Sequence, residues 1–207
     1  KEYTYSYPEN PEIIKTVEEP FSTTGGVAVL DGNLAPHTAI SKPGAIDPAL
    51  HRFTGKAKCY NSEEEAEEAI LGGKIEKGDV VVIRYEGPKG GPGMREMFKA
   101  MKYMYGMGLA KSAALITDGR FSGTNNGCFV GHISPEAAEG GPLAIVEDGD
   151  EISIDVIDGK LELHVSDEEI ERRKKAWVRP EKPIPNGYLR LYSKVASSAD
   201  KGAIIEC

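Results

Sequence analysis

Ala113-Ala114-Leu115-Ile116-Thr117-Asp118-Gly119-Arg120-Phe121-Ser122-Gly123-Thr124-Asn125-Asn126-Gly127 passes from a short apolar stretch into a glycine-rich one. Apolar residues running into glycines read as a buried strand that ends in a loop. Ser122 stands in that loop, next to Gly123 and between Gly119 and Gly127. Glycine admits positive φ and lets a backbone come close to a ligand. Glycine-flanked serines are also common in plain turns, where the hydroxyl bonds its own backbone. The spacing leaves both readings open.

The flanking sequence alternates strands and helices. Asp79 to Tyr85 is rich in β-branched residues and reads as a central strand. Gly26 to Leu30, Phe53 to Cys59, Cys128 to Ile133, Leu143 to Glu147 and Glu151 to Val156 read as further strands. Asp158-Gly159 turns the chain into Lys160 to Val165 as a hairpin. Gly32 to Pro48 holds Pro36, Pro43 and Pro48 and reads as loop. Ser62 with Glu65, and Ser166 with Glu169, are capping boxes. The first opens a helix that Gly72-Gly73 ends, and the second opens Asp167 to Trp177. Met94 to Met107 has Met97, Met101, Met104 and Tyr105 at helical spacing. Leu189 to Val195 is a last short helix. Strands outnumber helices and several are adjacent hairpins. The expected fold is mixed β/α: a barrel-like sheet with peripheral helices. Residues 1–24, with Pro8, Pro11 and Pro20, read as an extended linker with a turn of helix at Asn10 to Val17, which leaves 25–207 as the barrel domain.

Composition narrows the function classes. The 207 residues suffice for one well-buried domain or at most two small ones. A net charge of −8 without a basic block argues against nucleic acid. Arg172-Arg173-Lys174-Lys175 follows Glu168-Glu169-Glu171, as on a solvated helix face. No apolar run approaches the roughly 20 residues of a membrane span, and the polar start at Lys1 is no secretory signal. A first residue other than Met suggests an excised or processed chain. Cys59, Cys128 and Cys207 are scattered and odd in number, a pattern that fits a reducing cytoplasm and gives poor spacing for an iron–sulfur cluster.

Four further residues draw notice. Glu96 follows Gly90-Gly91-Pro92-Gly93-Met94-Arg95 and reads as a first-turn acid that complements a helix dipole. His132, after the Cys128 to Val130 strand, reads as structural, with a near-neutral pKa that leaves proton transfer open. His37 reads as a surface residue. Lys42, in Ser41-Lys42-Pro43-Gly44, reads equally as structural or as near the site.

The serine segment, with Gly131-His132-Ile133-Ser134-Pro135-Glu136-Ala137-Ala138-Glu139-Gly140-Gly141-Pro142, closely resembles the C-terminal part of the dihydroxy-acid dehydratase and phosphogluconate dehydratase family, which includes sugar-acid dehydratases. The resemblance runs from Gly25-Gly26-Val27-Ala28-Val29-Leu30 through Gly32-Asn33-Leu34-Ala35-Pro36 to Ser198-Ala199-Asp200-Lys201-Gly202-Ala203. It implies a domain like the swivelling domain of aconitases. It also implies a hydro-lyase that turns a 2,3-dihydroxy carboxylate into a 2-keto acid with Mg2+ and an iron–sulfur cluster. In that pattern Ser122 matches the catalytic base, Glu96 a magnesium ligand, and Gly123 and Thr124 substrate contacts. The cluster ligands would belong to an N-terminal domain outside this chain, so the chain alone is expected to be inactive. The implied partners are a small dihydroxy acid, that N-terminal domain and further copies of the full-length chain. Many dihydroxy-acid enzymes of the family carry glycine where Thr124 stands, and sugar-acid enzymes often carry threonine. Phe121 and the Gly131 to Glu136 run look more like the branched-chain acid enzymes, so the substrate stays open between the two. The rival reading is a non-catalytic barrel that docks or oligomerises.

Overall fold

The computed structural model describes residues 10–121 and 127–205. Every residue of Asp79–Ile83 (β4) is buried. A strand covered on both faces is apolar throughout rather than alternating. Val80 and Val82 point into one cluster with Leu30, Ile116, Val130 and Ile154, which fills the barrel. Val81 and Ile83 point the other way, into a second cluster with Ile70, Met101, Met104 and Leu115 beneath the helices. The period-2 geometry of a strand divides the run between two cores.

Eight strands close the barrel: Ala28–Gly32 (β1), Ala35–Ser41 (β2), Arg52–Tyr60 (β3), β4, Ala114–Thr117 (β5), Cys128–Ser134 (β6), Glu151–Asp155 (β7) and Lys160–Leu163 (β8). Their spatial order is β1-β2-β6-β5-β4-β3-β7-β8. The run β3-β4-β5-β6 is parallel. Antiparallel pairs β1-β2, β2-β6, β3-β7 and β7-β8 complete the wall. A single parallel pairing, Asp31 with Lys160, joins β8 to β1. Among the described residues four α-helices accompany the sheet: Glu63–Leu71 (α1), Phe98–Gly106 (α2), Asp167–Ala176 (α3) and Tyr188–Val195 (α4). The mixed β/α barrel expected from the sequence is the observed fold. No described helix is long and apolar enough to cross a membrane.

Both capping boxes form. Ser62 Oγ accepts from Glu65 N at 3.2 Å and Ser166 Oγ from Glu169 N at 3.3 Å. Three expectations are corrected. The Gly32 to Pro48 loop contains β2, because pairing with β1 on one side and β6 on the other outweighs proline content. Pro36 is tolerated at the start of that strand. Leu143 to Glu147 is not a strand. Leu143 to Val146 are buried, and Pro142–Ile145 form a 3-10 turn with proline at its first position. The helix expected from Met94 starts only at Phe98. Met94 has φ 42°, in the left-handed region, and Met97 N–H donates to the Arg120 carbonyl at 2.8 Å, so residues 94–97 are non-helical and lie against another loop.

Candidate active site

Parallel strands β4 and β5 end side by side, with Ile83 opposite Thr117. The loops that follow them therefore leave the barrel at the same end. In α/β sheets this carboxyl end is where ligands bind. Tyr85 to Gly93 follows β4, and Asp118 to Phe121 follows β5 and leads into Ser122.

Asp118 ties these loops together. It is fully buried, and its carboxylate accepts from the backbone N–H groups of Tyr85 (3.1 Å), Glu86 (2.9 Å) and Ala137 (2.8 Å). Burial nevertheless pushes its pKa up to about 6. Glu136, also buried, accepts from Lys89 N and Gly90 N, each at 2.8 Å. Burial and the nearby Asp118 charge push Glu136 up to about 7. The two acids are internal staples for the Tyr85–Gly90 stretch.

A carboxyl whose folded pKa lies above its unfolded value stabilises the fold less as pH rises through the interval between them. For Glu136 that interval runs from the ordinary value of 4.5 up to about 7. Acidification from about pH 7.5 to about 5.5 therefore stabilises the wild type relative to Glu136→Gln, by up to about 2 kcal/mol at 1.36 kcal/mol per pKa unit. Titrating groups remote from Glu136 are present in both proteins and cancel, while Asp118, whose charge acts on Glu136, contributes to the difference in the same pH window. Thermal melts at the two pH values check this, and a pH-independent difference between the proteins refutes it.

Glu96 lies beside the same loop. It forms an isolated parallel bridge with Arg120, whose side chain donates back to the Met94 carbonyl. Glu96 is exposed and precedes α2, so it is not the first-turn acid that its spacing suggested. The structure thus brings the Glu96 backbone next to the residue two positions before Ser122. Ser122, Gly123 and Thr124 themselves lie outside the described residues, as does Cys207.

The other face of the Gly119-Arg120 segment is closed by β6. His132 N–H donates to the Gly119 carbonyl at 2.8 Å, with His132 itself at φ 55°. Partial burial, then the Arg120 and Lys42 charges, hold its imidazole below the ordinary range, so the ring is neutral near pH 7. Lys42 follows Ser41, which pairs with Val130 of β6. His37 is an exposed residue 3.6 Å from Asp200. Phe121 packs on Phe129 with ring centroids 5.8 Å apart. A Cβ on Gly119 would lie 2.7 Å from the Met97 side chain and 3.0 Å from Glu86, so close packing requires glycine there.

Among the described residues no group of three or more His, Cys, Asp or Glu could hold a metal ion. Magnesium commonly takes one or two carboxylates and keeps waters. Exposed Glu96 would fit as one such ligand, and a complete site would need others from outside the described residues. The cysteines fit a cluster badly. Cys128 is buried, Cys59 is largely buried, and burial pushes both thiols up to about 12, away from the thiolate that binds iron.

The sequence did not single out Asp118, Glu136, Glu86 or Lys182. Asp118 carried a usable signal, an acid directly after a buried strand and before glycine. Lys182 carried none, since its partner Glu86 is 96 residues away.

The family model "Dihydroxy-acid/6-phosphogluconate dehydratase C-terminal" matches residues 12–203. The chain is 56% identical over 195 residues to a dihydroxy-acid dehydratase of Acetivibrio thermocellus, covering 94% of this chain and 35% of that protein. It is 56% identical over 195 residues to that of Aquifex aeolicus, with the same coverage. To that of Methanosarcina barkeri it is 54% identical over 197 residues, covering 95% and 35%. The chain thus spans about a third of the length of these curated relatives.

Proposed function

The chain belongs to the dihydroxy-acid/6-phosphogluconate dehydratase family as its C-terminal domain, and from that membership we propose that it supplies the proton-accepting half of a hydro-lyase site. The substrate is a 2,3-dihydroxy carboxylate and the product a 2-keto acid. The observation that carries this is the backbone bridge between Glu96 and Arg120, which places an exposed acid beside the segment leading into Ser122.

Two obstacles define the chemistry. The C2 proton is weakly acidic, and the C3 hydroxyl is a poor leaving group. Ser122, as its alkoxide, takes the C2 proton as the C3–O bond breaks, and the proton it has taken passes to the departing hydroxyl to complete water. The enol left behind tautomerises to the 2-keto acid by losing its hydroxyl proton and gaining one at C3. A serine hydroxyl serves as base only where its alkoxide is stabilised. Backbone N–H groups of a glycine-rich loop contribute to that. Magnesium bound at Glu96, with an iron–sulfur cluster contributed from outside this chain, would supply the Lewis acidity that holds the carboxylate and loosens the C3 hydroxyl. Gly123 allows close approach, and Thr124 offers a hydroxyl toward the substrate. The curated relatives bear the name dihydroxy-acid dehydratase, which favours that substrate class over a sugar acid. The sugar-acid alternative rests on Thr124 alone. On this reading the chain by itself holds half a site and does not turn over substrate.

In the complete enzyme, Glu96→Gln is expected to raise the Mg2+ concentration for half-maximal activity by roughly tenfold or more, since a neutral amide is a poor ligand for a hard cation. Calorimetric titration with Mg2+ should show the same weakening. Unchanged Mg2+ affinity with unchanged turnover would return Glu96 to a plain loop acid.

A further inference from the structure

The chain from Trp177 to Gly187 has no helix or strand, yet it crosses the loop that carries the candidate site. Two side chains fasten it, both to consecutive residues after β4. Trp177 Nε1 donates to the Tyr85 hydroxyl at 3.1 Å. Lys182 Nζ donates to the Tyr85 carbonyl at 2.8 Å and to Glu86 Oε1 at 2.9 Å. The segment is tethered rather than packed down, because a cavity of about 830 Å³ lies between it, α4 and the Tyr85–Gly90 stretch. Pro180, Pro183 and Pro185 restrict its backbone, so fixing Lys182 fixes much of the segment.

Glu86 is the other half of the fastening. It is 1% exposed. The same Oε1 accepts from Glu63 N–H, at the start of α1, at 3.1 Å. Its carboxylate lies against Gly91, where an added Cβ would fall 2.6 Å from Oε2. Its Cβ and carbonyl lie against Gly119, at 3.0 and 3.1 Å from such a Cβ. Its own N–H donates to Asp118. Glu86 thus touches the loop before Glu96 and the loop before Ser122 at once. Its nearest cation is Lys182, with Arg95 3.9 Å away. A buried carboxylate that loses its counter-charge is costly, and its surroundings shift to reach water or another cation.

We propose that Lys182 and Glu86 are a positioning pair: the C-terminal segment clamps Glu86, and Glu86 holds the Gly87–Gly93 loop and the Gly119-Arg120 segment in register. The consequence for turnover rests on the proposed function, whereas the consequence for loop order does not. The pair touches no reacting atom and acts through the two loops.

The test compares wild type, Lys182→Met and Lys182→Arg. Methionine keeps most of the stem and removes the ammonium, and arginine keeps the charge. Backbone hydrogen exchange of the chain is read at Glu86, Gly91 and Met97, whose N–H groups bond Asp118, the Gly87 carbonyl and the Arg120 carbonyl. The expected result in Lys182→Met is exchange faster by about tenfold or more at these three amides, with Val81 in β4 and Leu115 in β5 unchanged, as for a local opening. Lys182→Arg restores most of the protection. In the complete enzyme, kcat of Lys182→Met falls while KM changes less, and arginine rescues it. Unchanged exchange at the three amides overturns the proposal, as does equal acceleration in the strands, which marks general destabilisation. Loops that loosen with kcat intact overturn the positioning role. Loosened loops in an enzyme whose activity survives Ser122→Ala leave the clamp standing and refute the proposed function instead.

Discussion

Ser122→Ala in the complete enzyme is expected to lower turnover by at least about 10²–10⁴-fold, the loss typical of a general base. KM should move far less, because alanine leaves Glu96 and the rest of the substrate contacts in place. Metal and cluster content should match the wild type. Ser122→Cys is the sharper control: a thiolate forms more readily than an alkoxide but is a larger and softer base. Its activity should fall between alanine and serine or below both, with binding retained. Near-normal turnover of Ser122→Ala at unchanged cofactor content would make Ser122 a turn residue and would favour the docking-module reading of the barrel.

Asp118→Ala should have the largest effect on the fold. Three backbone N–H groups, from Tyr85, Glu86 and Ala137, would lose their common acceptor in a fully buried place. Each unmet buried donor costs about 1–3 kcal/mol. Part of that is offset, because burial already disfavours the charged form of Asp118. A net loss of about 3–5 kcal/mol follows, the range seen on breaking buried charged networks. Urea unfolding measures it, through a lower midpoint at unchanged slope. Asp118→Asn should lose less, since one carbonyl oxygen can still accept while its amide faces donors. A loss under about 1 kcal/mol for alanine would mean that water or relaxation replaces the carboxylate easily.

The two variants separate two roles of one loop. Asp118 builds the platform, and its loss should appear in the melt before any chemistry is measured. Ser122 is expected to be nearly silent in stability and decisive in rate. A barrel whose platform is held by buried acids also ties its stability to pH, which the Glu136→Gln comparison isolates.

The sequence by itself determined the elements whose causes are local. Ser62 and Ser166 cap their helices as their spacing indicates, the Asp79–Ile83 run is a strand buried on both faces, and Asp158-Gly159 joins β7 to β8. The motifs around Ser122 and Glu96 were likewise legible, since a glycine-rich run with a fixed order of side chains is a one-dimensional pattern. The tertiary structure alone decided the rest. Pro36 lies in a strand because β1 and β6 flank it. The Met-rich helix starts late because Glu96 and Met97 bond the backbone of Arg120 instead of starting a helical turn. Leu143 to Val146 is buried without pairing to another strand. Asp118, Glu136, Glu86 and Lys182 became notable only through partners between 19 and 97 residues away. Capping, branching and turn preference act over a few residues, so composition and spacing expose them. Burial of a charge and closure of a barrel are set by which distant segments meet, and the energy of that meeting is written in no single stretch of the chain.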